Sequence, residues 1–120
     1  MGHQSPRVSR PPTAPADARR AENRRRLREF LRATPRGETK SQLELLGLTA
    51  ATPVVLVTRA QLTASIEKLR PEVRQVIRLT LEERWTRKEA QDYLHGISER
   101  TLEREQVAGL DELIDQALEH

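Results

Sequence analysis

The sequence contains no cysteine, which excludes a disulfide framework, a thiolate nucleophile and any cysteine-based zinc site, and suits a reducing compartment. Aromatic residues are almost missing, with one Trp, one Tyr and one Phe in 120 residues, and hydrophobic residues reach only 36%. Length and composition together support a single modest core. The three histidines, His3, His95 and His120, are scattered and offer no metal-ligand spacing. No run approaches the roughly 18 to 20 consecutive apolar residues that a membrane helix needs, and the start of the chain has no apolar signal core. The expectation is a cytoplasmic protein without membrane contact. Enzyme chemistry finds no footing, because there is no Gly-rich phosphate loop, no His pair at i, i+4 and no nucleophile beside a base. No catalytic residue, cofactor or metal is therefore expected.

What the chain has is charge, unevenly placed. Residues 1–68 carry 13 Lys and Arg against 6 Asp and Glu, whereas residues 69–120 carry 8 against 12. An electrostatic footprint for nucleic acid therefore belongs to the first half. Arg supplies 18 of the 21 basic residues; its guanidinium grips phosphate bidentately, although GC-rich codon usage gives the same bias.

Residues 1–16 hold Pro6, Pro11, Pro12 and Pro15 and almost no large apolar side chain, too little to offset the entropy of ordering. From Asp17, a possible N-cap, the composition shifts to Arg-dense helix formers, with Thr34-Pro35-Arg36-Gly37 as a stop. Arg20, Arg24 and Arg28 recur every four residues, and Leu27, Phe30 and Leu31 make a short apolar patch. Residues 1–36 thus read as a disordered, basic arm with a possible Arg-rich helix.

Ser41 and Glu44 have capping-box spacing, and Leu43, Leu45, Leu46 and Leu48 follow, which suggests a short helix from Ser41 to Leu48. The β-branched run Pro53-Val54-Val55-Leu56-Val57 is an extended connector, or a strand whose partner is another molecule, since no second strand signal accompanies it. Residues 37–57 form a connector on this reading. Thr58 with Gln61 opens a helix carrying Leu62, Ile66 and Leu69, which Pro71 ends near Arg70. Pro71 suits the first turn of the next, with Val73, Val76, Ile77 and Leu81 at helical spacing. Thr86 with Glu89 opens a third, reaching Tyr93 and Leu94, and His95-Gly96 stops it. Ser98 caps a last helix with Leu102, Leu110, Leu113, Ile114 and Leu118. The class expected is all-α, a small helix-turn-helix bundle over residues 58–120.

The joint Leu94-His95-Gly96-Ile97-Ser98-Glu99-Arg100-Thr101-Leu102 describes a helix-turn-helix: a capped helix, a Gly turn, a buried Ile and a Ser cap. With Leu69 to Leu79 before it and Gly109-Leu110-Asp111-Glu112-Leu113 after it, the segment resembles the promoter-binding region 4 of bacterial sigma factors and is similar to the sigma-like late transcription regulators of bacteriophages. The resemblance covers roughly residues 62–113, without a counterpart of the sigma region that melts promoter DNA. It implies that Pro71 to Leu79 and Thr86 to Leu94 are supporting helices and that Ser98 to about Gly109 enters the major groove. His95 makes the turn one residue longer than is usual in the family. Gln91 stands where the family has a small apolar residue, unless the frame shifts to Ala90. The recognition helix is also acidic, with Glu99, Glu103 and Glu105 against Arg100 and Arg104.

The resemblance implies a transcription regulator that binds double-stranded DNA. Arg100 and Arg104 then read bases or phosphates and Glu103 accepts from a cytosine amino group. Arg87, Lys88 and Ser98 sit near helix N-termini, and Arg20, Arg24, Arg25 and Arg28 add phosphate contacts. The alternative is a protein-interaction module that docks on RNA polymerase or another transcription protein through its acidic helices. Plainer readings stand beside these: the Ile97 to Leu102 string as a capped core helix, Arg19 to Arg32 as a solvated face, Trp85 and Tyr93 as core, and His95 as a turn residue.

Overall fold

The computed structural model describes residues 16–49 and 51–119. Over these residues the architecture is mixed α/β rather than all-α. The element order is α1 (Ala16–Ala33), β1 (Gln42–Thr49), β2 (Thr52–Thr58), α2 (Arg59–Glu67), α3 (Pro71–Ile77), α4 (Arg87–Tyr93) and α5 (Glu99–Leu118), with a π-helical turn (Arg78–Glu82) continuing α3. The correction falls on residues 41–58. Strand β1 replaces the expected Ser41–Leu48 helix and pairs antiparallel with β2, so the β-branched run has its partner within the chain.

Alternation decides this segment. Leu43, Leu45 and Val57 are buried while Glu44, Leu48, Val54 and Leu56 are exposed, the period-two pattern of a sheet with one face on the core. The register sets Leu43 opposite Val57, Leu45 opposite Val55 and Leu46 opposite Val54. Gly47 is required where the register shifts, because a Cβ there would lie 1.6 Å from the carbonyl oxygen of Thr52.

The Arg-rich helix expected from Asp17 to about Thr34 is present as α1, but it is docked in the core and not part of a disordered arm; residues 1–15 lie outside the described residues. Helix α1 buries Asn23, Leu27 and Leu31, and Asp17 lies within its first turn. Its side chains seal the outer edge of β1. Arg26 donates to the Glu44 carbonyl at 3.1 Å, Arg19 to the Gly47 carbonyl at 3.1 Å, and Asn23 bonds both backbone groups of Leu46.

The main core joins Leu27 and Leu31 of α1, Leu45 of β1, Leu62 and Ile66 of α2, Ile77 of α3, Leu81 of the π-turn, and Leu110, Leu113 and Ile114 of α5. Thr58 caps α2 with the expected capping box, α2 ends at Glu67 rather than near Arg70, and Pro71 opens α3. Helices α3 and α5 approach closely at Gly109, where a Cβ would meet Val73 and Ile77 side-chain carbons at 2.8 Å. In the π-turn the Glu83 amide bonds the Arg78 carbonyl at 2.8 Å, which keeps Leu79, Thr80 and Leu81 buried; Arg84 then reverses the chain at φ 58°. Glu82 at its end pairs with Arg59, whose side chain is 0% exposed.

Among the described residues, no helix is long and apolar enough to cross a membrane.

Candidate nucleic-acid interface

Helices α4 and α5 meet over a second, smaller core of Val76, Ala90 and Leu102, with Leu94 and Ile97 packed against it. Local sequence builds the joint. The Thr86 hydroxyl accepts from the Glu89 amide at 3.1 Å while the Glu89 carboxylate accepts from the Thr86 amide at 2.8 Å. His95 and Gly96 both take left-handed backbone, φ 63° and 75°, two consecutive left-handed steps that end α4 and turn the chain toward α5. Gln91 ties the turn shut by donating to the Ile97 carbonyl at 2.9 Å, and the small buried position beside it belongs to Ala90, 0% exposed. The Ser98 hydroxyl accepts from the Thr101 amide at 3.0 Å, which commits it to capping α5. Trp85 and Tyr93 stack edge to face with centroids 5.3 Å apart, and Tyr93 is exposed.

On α5 the acidic residues are engaged by basic ones. Arg87 reaches Glu99 at 2.5 Å and Glu103 at 3.5 Å, and Arg70 reaches Glu105 at 3.4 Å. The hydrogen bond to Glu99, with the nearby charge of Glu103, raises the pKa of Arg87 further. Arg100, Arg104 and Lys88 are exposed and form no ion pair among the described residues. Arg100 and Arg104 lie one turn apart, so they face the same side.

The arginine stripe of α1 is placed differently from a free phosphate-binding face. Arg20 meets Asp115 at 3.3 Å and Arg24 meets Asp111 at 2.8 Å, which pins α1 to the second half of α5. Arg25 pairs with Glu22 and Glu29, and Arg26 with Glu22. Those hydrogen bonds from Arg25 and Arg26 hold the Glu22 carboxyl down at about 2. Of the four arginines expected to contact phosphate, Arg28 alone lacks a carboxylate partner among the described residues, and its Nε donates to Gln106 at 3.2 Å.

Two residues that sequence reasoning did not single out, Arg32 and Gln106, join Arg28, Arg87 and Trp85 around a cavity of about 340 Å³ beside the joint between α4 and α5. Arg32 continues the four-residue spacing of Arg20, Arg24 and Arg28, which was the available signal; nothing in the sequence pointed to Gln106. No group of three or more Asp, Glu or His able to hold a metal occurs among the described residues. Comparison with protein-family models, with curated proteins and with solved structures finds no match to this chain.

Proposed function

We propose that this chain is a cytoplasmic transcription regulator, a module like sigma region 4, that binds double-stranded DNA by setting α5 in the major groove. One observation carries the reading: the three glutamates in the first half of α5 are held by Arg87 and Arg70, while Arg100 and Arg104 stand exposed and, among the described residues, unpaired. The acidity that opposes groove entry is thus answered within the chain, and two guanidiniums are left to reach guanine edges or phosphates. Lys88, exposed at the start of α4, adds a third cation without an ion pair among the described residues.

The test uses duplexes that the full chain selects from a random-sequence pool. Arg100→Ala and Arg104→Ala should each weaken binding by about 1 to 3 kcal/mol and relax preference at a base position. Folded variants that bind as wild type, or a pool that yields no enriched sequence, overturn the reading.

One observation favours a second reading, docking on RNA polymerase or another transcription protein. The outer face of the hairpin exposes Leu48, Val54 and Leu56, an apolar patch of the kind that marks protein contacts. The acidic helices do not supply such a surface so readily, since Asp111 and Asp115 are held by Arg20 and Arg24. Leu56→Lys should abolish polymerase capture and leave DNA binding intact; unchanged capture rejects this second reading.

A further inference from the structure

The cavity between α1, the π-turn, the start of α4 and the first half of α5 gathers three guanidiniums, Arg28, Arg32 and Arg87, against one carboxylate, Glu103. Glu103 is itself shared with Arg87 at 3.5 Å. Arg28 is held in place from below: it donates through Nε to Gln106, and Gln106 donates to Thr80 Oγ1 at 2.9 Å, which leaves both terminal nitrogens of Arg28 without a partner among the described residues. Arg32 is exposed and forms no ion pair there. Burial, followed by the like charges of Arg32 and Arg24, lowers the pKa of Arg28. A guanidinium keeps its proton under such conditions, so the cluster stays cationic and favours an anion.

We infer that this cavity binds a phosphate group, with the Arg28 and Arg32 forks as its main donors and Arg87 adding a further donor from the rim while it stays paired with Glu99 and Glu103. A tetrahedral anion with several free oxygens can accept from guanidiniums converging from α1 and α4, where one flat carboxylate satisfies a single fork. The choice of source rests on the DNA reading: with duplex bound, the phosphate is one of the backbone, flanking the bases that Arg100 and Arg104 face. A small phosphate-bearing ligand presents the same chemistry.

Trp85, the sole tryptophan of the chain, lines the cavity and so reports its occupancy by fluorescence. The full chain is titrated with inorganic phosphate and, at matched ionic strength, with chloride; the selected duplex is then titrated in rising salt. Wild type should give a saturable change with phosphate alone. Arg28→Gln and Arg32→Gln should each weaken it about tenfold, while Arg25→Gln, whose partners are Glu22 and Glu29, should not. The same two variants should reduce the slope of log affinity against log salt by about 1 and keep the base preference. Because Arg32 is exposed, its variant tests the site without risk to folding.

Variants that match wild type in both the phosphate titration and the salt slope overturn the site. A lost phosphate response with an unchanged slope overturns the backbone assignment and gives the cavity to a small ligand. If the chain selects no DNA, the proposed function fails, and the phosphate titration decides the cavity by itself.

Discussion

Asn23 meets Leu46 as a neighbouring strand would: its Oδ1 accepts from the Leu46 amide at 2.8 Å and its Nδ2 donates to the Leu46 carbonyl at 3.1 Å. A helix side chain thereby satisfies an edge that would otherwise present unpaired backbone groups. Asn23 is 2% exposed, so water cannot substitute for it. Asn23→Ala should cost about 1 to 3 kcal/mol in chemical denaturation. An effect within experimental error would show that the edge is satisfied in some other way.

The Arg59–Glu82 pair is almost fully withdrawn from water, with side chains 0% and 4% exposed. Removing one partner leaves the other buried and uncompensated. Arg59→Met or Glu82→Gln should each destabilise by about 3 to 5 kcal/mol, and the double replacement by apolar residues should recover much of the loss. Losses that simply add would deny the coupling.

Arg24 and Asp111 are each 27% exposed on the side chain, an ion pair at the margin of solvent. Asp111→Asn should lower stability by no more than about 1 kcal/mol. Arg24→Gln should leave the salt slope of DNA binding unchanged, because its charge is already answered within the fold. A flatter slope would return this residue to the nucleic-acid surface.

Glu22 titrates low, at about 2 against the usual 4.5, because Arg25 and Arg26 hydrogen-bond its charged form. Its stabilising share is therefore complete above about pH 4.5 and fades as the pH falls through 2. A carboxyl NMR titration should find this midpoint, and the Arg25→Gln, Arg26→Gln double variant should return it to the ordinary range. A normal midpoint in wild type would dissolve the cluster.

The second half of the chain was legible because its boundaries are set by local chemistry. Thr58, Thr86 and Ser98 cap, Pro71 starts and Gly96 stops, and each acts within a few residues of itself. Ser41 to Leu48 misled for the same reason. Leucine favours helices and the Ser41–Glu44 spacing imitates a capping box, but the strand is set by pairing with β2, and Ala50-Ala51 between the strands lacks the Gly or Asn that announces a hairpin. The alternation of Leu43 and Leu45 with Glu44 was the surviving clue. At the site, the exposed Arg100 and Arg104 could be placed from helical spacing alone. The fate of Arg20 and Arg24 could not, since their partners lie 87 to 95 residues away.

The clamp between α1 and α5 also sets where attachments to this fold should be tolerated. Ala16 and Leu118 line one shallow cavity, so the two ends of the described chain meet at a single place. Along α5 that place is about 27 Å from Arg100, at 1.5 Å per residue. A domain fused directly at Ala16 or Glu119 should emerge beside this cavity and leave the turn between α4 and α5 unobstructed. The same closeness should allow a circular permutant of residues 16–119 in which a short linker joins Ala16 to Glu119 and the chain is reopened between β1 and β2.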